Sequence, residues 1–113
     1  MKTIELDARN WETPHDFRSA LKAALGAPAW HGDIVGAFLD SIFGGGMNAL
    51  KPPYLIRVVN AADLAPEIRD LIGEFSSAFK ETRTRRHART GEDVAVSLEI
   101  ESGQAFGSKA IPN

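Results

Sequence analysis

The hydrophobic pattern of the chain switches between the period of a strand and the period of a helix. Ile4-Glu5-Leu6-Asp7 alternates apolar and polar residues, which predicts a short strand over residues 3–7. Phe17, Ala20, Leu21, Ala24 and Leu25 then recur at helical spacing. Thr13 is placed to cap that helix, Pro14 suits its first position, Asp16 favours its positive pole, and Gly26 stops it. A second helix follows a loop at Trp30. Turning about 100° per residue, it carries Ile34, Val35, Phe38, Leu39 and Ile42 on an inward stripe and Asp33, Gly36, Asp40 and Phe43 on the outward one. Gly44-Gly45-Gly46 is expected to end the helix as a flexible connection.

Lys51-Pro52-Pro53 sets the start of Tyr54-Leu55-Ile56-Arg57-Val58-Val59, a strand apolar enough to predict a central position covered on both faces. Asp63 is the expected cap of a third helix with Ile68, Leu71, Ile72, Phe75 and Phe79 on one stripe. Residues 93–100 alternate again, with Val94, Val96, Leu98 and Ile100 on one side. The order β-α-α-β-α-β implies parallel pairing through right-handed crossovers. The expected fold is α/β, a three-stranded parallel sheet covered by helices, forming one domain over 1–101. Gly, Ser and Pro dominate from Ser102, so 102–113 is expected to be a mobile tail.

Composition narrows the function classes. At 113 residues the chain fits one core without covalent staples. Its 43% hydrophobic and 25% charged residues are ordinary for a soluble domain. Net charge is −2, which by itself favours neither a nucleic acid nor an acidic partner. The sequence has no cysteine, so disulfides, thiolate metal sites and a cysteine nucleophile are excluded. The first residues alternate like a strand rather than reading as a signal peptide, and no apolar run approaches membrane-span length; a cytoplasmic protein is expected.

Catalytic patterns are missing. His15, His31 and His87 stand in three separate settings with no His-x3-His pair, so neither a metal nor another cofactor is expected. The three glycines at 44–46 follow a helix and lack the lysine and hydroxyl of a phosphate-binding loop. There is no Gly-x-Ser-x-Gly elbow. His31 next to Asp33 has the composition of an acid–base pair, but equally of a loop histidine beside a helix cap. The chain therefore reads as a binding module rather than an enzyme.

The loop Pro28, Trp30, His31, Gly32 and the helix with Ala37, Phe38 and Asp40 resemble the barstar family, intracellular bacterial inhibitors of barnase-type ribonucleases. In that family a Pro-x-aromatic-aromatic-Gly loop enters a helix of the form Asn-Leu-Asp-Ala-Leu-Trp-Asp. The likeness extends more loosely over residues 2–101, through Ala23-Ala24-Leu25-Gly26-Ala27-Pro28 and Phe79-Lys80-Glu81. It implies a chain, monomeric when free, that blocks a ribonuclease or similar toxin by placing acidic and aromatic residues in its cationic active site. By that resemblance Asp40 enters the cleft, with Trp30 and Glu81 around it. His31, Asp33, Gly36, Phe43 and Gly44 complete the expected partner surface. Each also has a plainer reading: Asp33 as a cap, Asp40 as a solvated helix residue, Trp30 or Phe43 folded onto the core.

Three departures matter. Gly36 replaces a second helix acid of the family and leaves room for a partner's backbone or bulky side chain. The second lies at the end of that helix, where Phe43 replaces a polar residue ahead of a longer connection from Gly44 to Pro53. The third is Lys80-Glu81-Thr82-Arg83-Thr84-Arg85-Arg86-His87-Ala88-Arg89, where five basic residues face one acid. This is either a solvated helix end favoured by the dipole or a patch of Arg83, Arg85, Arg86 and Arg89 for RNA or phosphate. Placed on the face opposite Asp40 it favours the inhibitor; placed on the same face it cancels the acidic field, counts against a simple ribonuclease plug and favours another role.

Overall fold

The computed structural model describes residues 1–28, 30–45 and 47–101. They form β1 (Lys2–Asp7), α1 (Pro14–Leu25), α2 (Val35–Leu39), a π-helical turn (Asp40–Gly45), β2 (Tyr54–Val59), α3 (Pro66–Thr90) and β3 (Val96–Ile100). The expected tail at 102–113 lies outside the described residues. The three strands make one parallel sheet in the order β1-β2-β3, with Ile4 beside Ile56 beside Leu98.

β2 is central, as its composition predicts, but only one of its faces is fully buried. Tyr54, Ile56 and Val58 join Leu6, Val96, Leu98 and the inward residues of the helices in a single core. On the other face Glu5, Arg57 and Glu99 stand in register, and Arg57 Nε donates to Glu99 Oε1 at 3.2 Å. An ion pair on that face explains why Leu55 and Val59 remain half-buried: an apolar strand was mistaken for a doubly covered one.

α1 begins and ends where its residues dictate. The Asp16 carboxylate accepts the backbone N–H groups of Glu12 at 2.7 Å and Thr13 at 3.0 Å. Gly26 closes the helix in the left-handed region at φ 64°. A Cβ there would lie 2.6 Å from the Ala49 Cβ, so glycine is required for space as well as for conformation. Ala49 N–H donates to the Gly26 carbonyl and Leu50 N–H to that of Leu25, at 3.1 and 2.9 Å, which ties the segment before β2 to the end of α1.

α3 starts at Pro66 with Ala65 as its cap, two residues after the expected cap Asp63, because Pro66 supplies the preset φ of a first helical position. Its 25 residues span about 38 Å at 1.5 Å each, longer than the sheet it crosses. Ile68, Ile72, Phe75 and Phe79 are its buried residues. Beyond Phe79 the helix leaves the core: Arg83 still reaches Ser97 of β3 at 3.3 Å, while Arg85, Arg86 and Arg89 stand beside the π-helical turn.

Candidate functional site

The π-helical turn decides which residues of the second helix meet solvent. A regular α-helix would put Phe43, five positions after Phe38, on the opposite side. A π turn bonds i to i+5, which returns residue i+5 to the side of residue i. Phe38 and Phe43 accordingly both face α3: Phe38 meets Phe75 edge-on at 5.3 Å between ring centroids, and Phe43 meets Phe79 at 6.3 Å. Phe43 is only 6% exposed, so it is a core residue and not the outward aromatic expected. Ile34, expected inside, is 73% exposed because it precedes the helix as its N-cap in extended backbone. Gly44 and Gly45 belong to the turn instead of ending the helix; Gly46 lies outside the described residues.

His31, expected on the partner surface, is also buried. Its Nδ1–H donates to the Gly32 carbonyl at 2.6 Å, and its Nε2 lies 2.9 Å from Ser41 Oγ. Asn48 Nδ2 donates to the same hydroxyl at 3.0 Å. The His31 ring also packs on Phe38, with centroids 4.6 Å apart. This buried polar cluster joins the loop, the π turn and the segment before β2; no sequence pattern pointed to Ser41 or Asn48. His31 N–H bonds the Pro28 carbonyl at 3.0 Å, closing the loop with Trp30 outside and 73% exposed. Asp33 reaches back to α1, where Lys22 Nζ lies 2.5 Å away; that ammonium holds the Asp33 carboxyl below the usual carboxylate range.

Asp40 is the outward acid that the pattern predicts. It is exposed, and its carboxylate makes no hydrogen bond or ion pair among the described residues. Gly36, one turn earlier, is open: a Cβ there would meet only Ile34 Cδ1, at 3.9 Å. Glu81 stands exposed on α3 and pairs with Arg85 one turn on, at 3.1 Å.

The arginine segment lies on the side of Asp40, not opposite it. A shallow groove of about 270 Å³ runs between the π turn and α3, with Asp40 and Gly44 on one wall and Thr82, Arg85, Arg86 and Arg89 on the other. Its charge is largely engaged. Arg83 donates to both carboxylate oxygens of Asp93, at 2.7 and 2.8 Å, which holds Asp93 low and raises Arg83. Arg86 Nη2 reaches Glu92 at 3.4 Å. The face is therefore mixed in sign, neither the uniform acid of a simple plug nor a uniform cationic strip.

These groups can recognise charge. Among the described residues no cluster of three or more His, Cys, Asp or Glu is placed to hold a metal ion, and no helix is long and apolar enough to cross a membrane. No individual curated protein matches the chain. The family model for barstar, the barnase inhibitor, matches residues 1–99, from the first strand into the last. With that match over a three-stranded parallel α/β fold, the chain belongs to the barstar (barnase inhibitor) family.

Proposed function

We propose that this chain binds and blocks a barnase-type ribonuclease, or a toxin of similar size, by presenting Asp40 to the enzyme's cationic active site. Family membership supports the class of partner, and the observation that carries the site is Asp40: an exposed carboxylate with no partner of its own. A ribonuclease cleft is built to hold phosphates, so a carboxylate delivered on a rigid support substitutes for one. The support is rigid because Phe38 and Phe43 lock the helix and turn beneath Asp40 against Phe75 and Phe79. Little ordering entropy is then lost on binding.

Trp30 is the aromatic anchor of this surface, large and exposed beside the start of α2. Glu81 contributes at the rim, since an exposed pair with Arg85 is worth only a few tenths of a kcal/mol and yields readily to a partner. Gly36 adds no charge and admits close approach. RNA binding by the arginines is less well supported, because Arg83, Arg85 and Arg86 each already hold a carboxylate. The test is cleavage of a fluorogenic RNA by a barnase-type ribonuclease with the chain in excess. Inhibition is expected; undiminished cleavage refutes the proposal.

A further inference from the structure

Inhibition by Asp40 leaves the basic end of α3 without a role, yet the fold sets it directly across a groove from Asp40. We propose that this groove receives a carboxylate of the protein partner, so that the partner carries an acid next to the cation that meets Asp40. The identity of the partner rests on the function proposed above; the chemistry of the groove does not.

Two donors remain open. Arg86 Nε is buried and has no hydrogen-bond partner among the described residues, although buried donors are almost always bonded. Arg89 forms no ion pair there either, and no arginine pairs with Asp40 across the groove. One wall is lowered at Gly44, where a Cβ would find nothing within 4 Å. Phe43, buried in the lining, keeps the local dielectric low and strengthens a charge-assisted bond made there.

The balance of charge selects a carboxylate over a phosphate chain. Asp40 lines the groove with the arginines, and Glu81 and Glu92 hold Arg85 and Arg86 of the same groove, so a polyanion laid there would meet three carboxylates. A single planar carboxylate meets only the exposed part of the Arg86 guanidinium and the Arg89 fork, a geometry that guanidinium groups match. A partner whose cleft is cationic throughout would instead set its charges against Arg85, Arg86 and Arg89 and be rejected.

The experiment records the arginine Nε–H and backbone amide NMR signals of the full chain during titration with sodium citrate, against sodium chloride at equal ionic strength. Saturable shifts centred on Arg86, Arg89 and Gly44, absent in both Arg89→Gln and Arg86→Gln, are expected. A response equal to that of chloride, or spread evenly over Arg9, Arg18 and Arg57, overturns the proposal. A single-stranded RNA oligonucleotide binding these residues more tightly than citrate overturns it in favour of phosphate.

A catalytically inactive barnase-type ribonuclease supplies the second arm. Arg89→Glu is expected to weaken the complex about tenfold or more, 1.4 kcal/mol; a tighter complex overturns the proposal. Citrate shifts in the groove without any ribonuclease binding uphold the carboxylate site and refute the inhibitor function, so the two failures are distinguishable.

Discussion

Replacing Phe43 and Ile34 by alanine, one at a time, tests the π-helical turn on which the site depends. Phe43 is 6% exposed and meets Phe79 edge-on, so truncation removes a buried ring and leaves a cavity. Phe→Ala in a core costs about 3–5 kcal/mol. The open groove beside Phe43 lets the surroundings relax, which places this case near about 3 kcal/mol. Ile34 is 73% exposed, and its truncation should fall within about 0.5 kcal/mol of zero. For a domain of this size about 3 kcal/mol corresponds to a fall in Tm of roughly 12 °C. Urea unfolding followed by circular dichroism gives both values, with equal m confirming that only stability has changed. A straight α-helix removes the difference, since it turns Phe43 outward while Ile34 stays exposed ahead of the helix. A cost for Phe43→Ala no larger than that for Ile34→Ala would therefore refute the turn and the exposure of the Asp40 face derived from it.

Three further outcomes follow from burial and charge. Tyr54 is the one tyrosine of the chain, and burial pushes its phenol up to about 12, so near-UV absorbance should show no phenolate until the pH passes well above 10. Because the raised value belongs to the folded state, this contribution to stability is complete below pH 10 and lost as pH rises toward 12; half-titration near 10 in the folded chain contradicts it. Asp93→Asn should lower Tm at neutral pH and lose its effect in acid: Arg83 depresses the folded Asp93 below its usual 3.8, so its stabilisation is present above that value and disappears as pH falls through the lower one. Thermal melts from pH 7 to pH 2 give the comparison, and an effect that persists at pH 2 counts against the pair. Gly36→Asp restores the acid that the family carries there, into space where a Cβ meets only Ile34 Cδ1; tighter ribonuclease binding is expected by calorimetry, and unchanged affinity places Gly36 outside the contact.

The sequence was most legible where one period ran without interruption. Alternation marked β1 and β3, and the stripe from Ile68 to Phe79 marked α3, because each depends only on burying one face; a nearly continuous apolar run marked β2. Pro14, Asp16 and Gly26 bounded α1 through local backbone chemistry that tertiary contacts did not override. The second helix departs from its pattern at the two ends for two reasons. Ile34 precedes the helix as its N-cap in extended backbone. A fixed rotation of about 100° per residue also assumes that no residue is added to a turn, and the π turn adds one after Asp40. Asp40 precedes that shift and kept its outward place; Phe43 follows it and was reversed. His31 was misjudged because its burial depends on Ser41 and Asn48, ten and seventeen positions on, whose polarity gave no sign that they are inside. The groove joins residues about forty positions apart, a proximity that only the packing of α3 beside the turn creates.

Isothermal titration of the chain into a catalytically inactive barnase-type ribonuclease, repeated with Asp40→Ala and with Asp7→Ala, bears most directly on the site. Asp7 is an exposed carboxylate beyond the groove, already bonded to Asn60 and Arg9 N–H, and serves as the control. Truncating one side of a desolvated charge pair costs roughly 2–5 kcal/mol, so Asp40→Ala should weaken binding from tens to thousands of fold while Asp7→Ala leaves it within about twofold. Equal effects of the two substitutions, or tight binding that survives Asp40→Ala, would contradict the placement of Asp40 at the centre of the inhibitory surface.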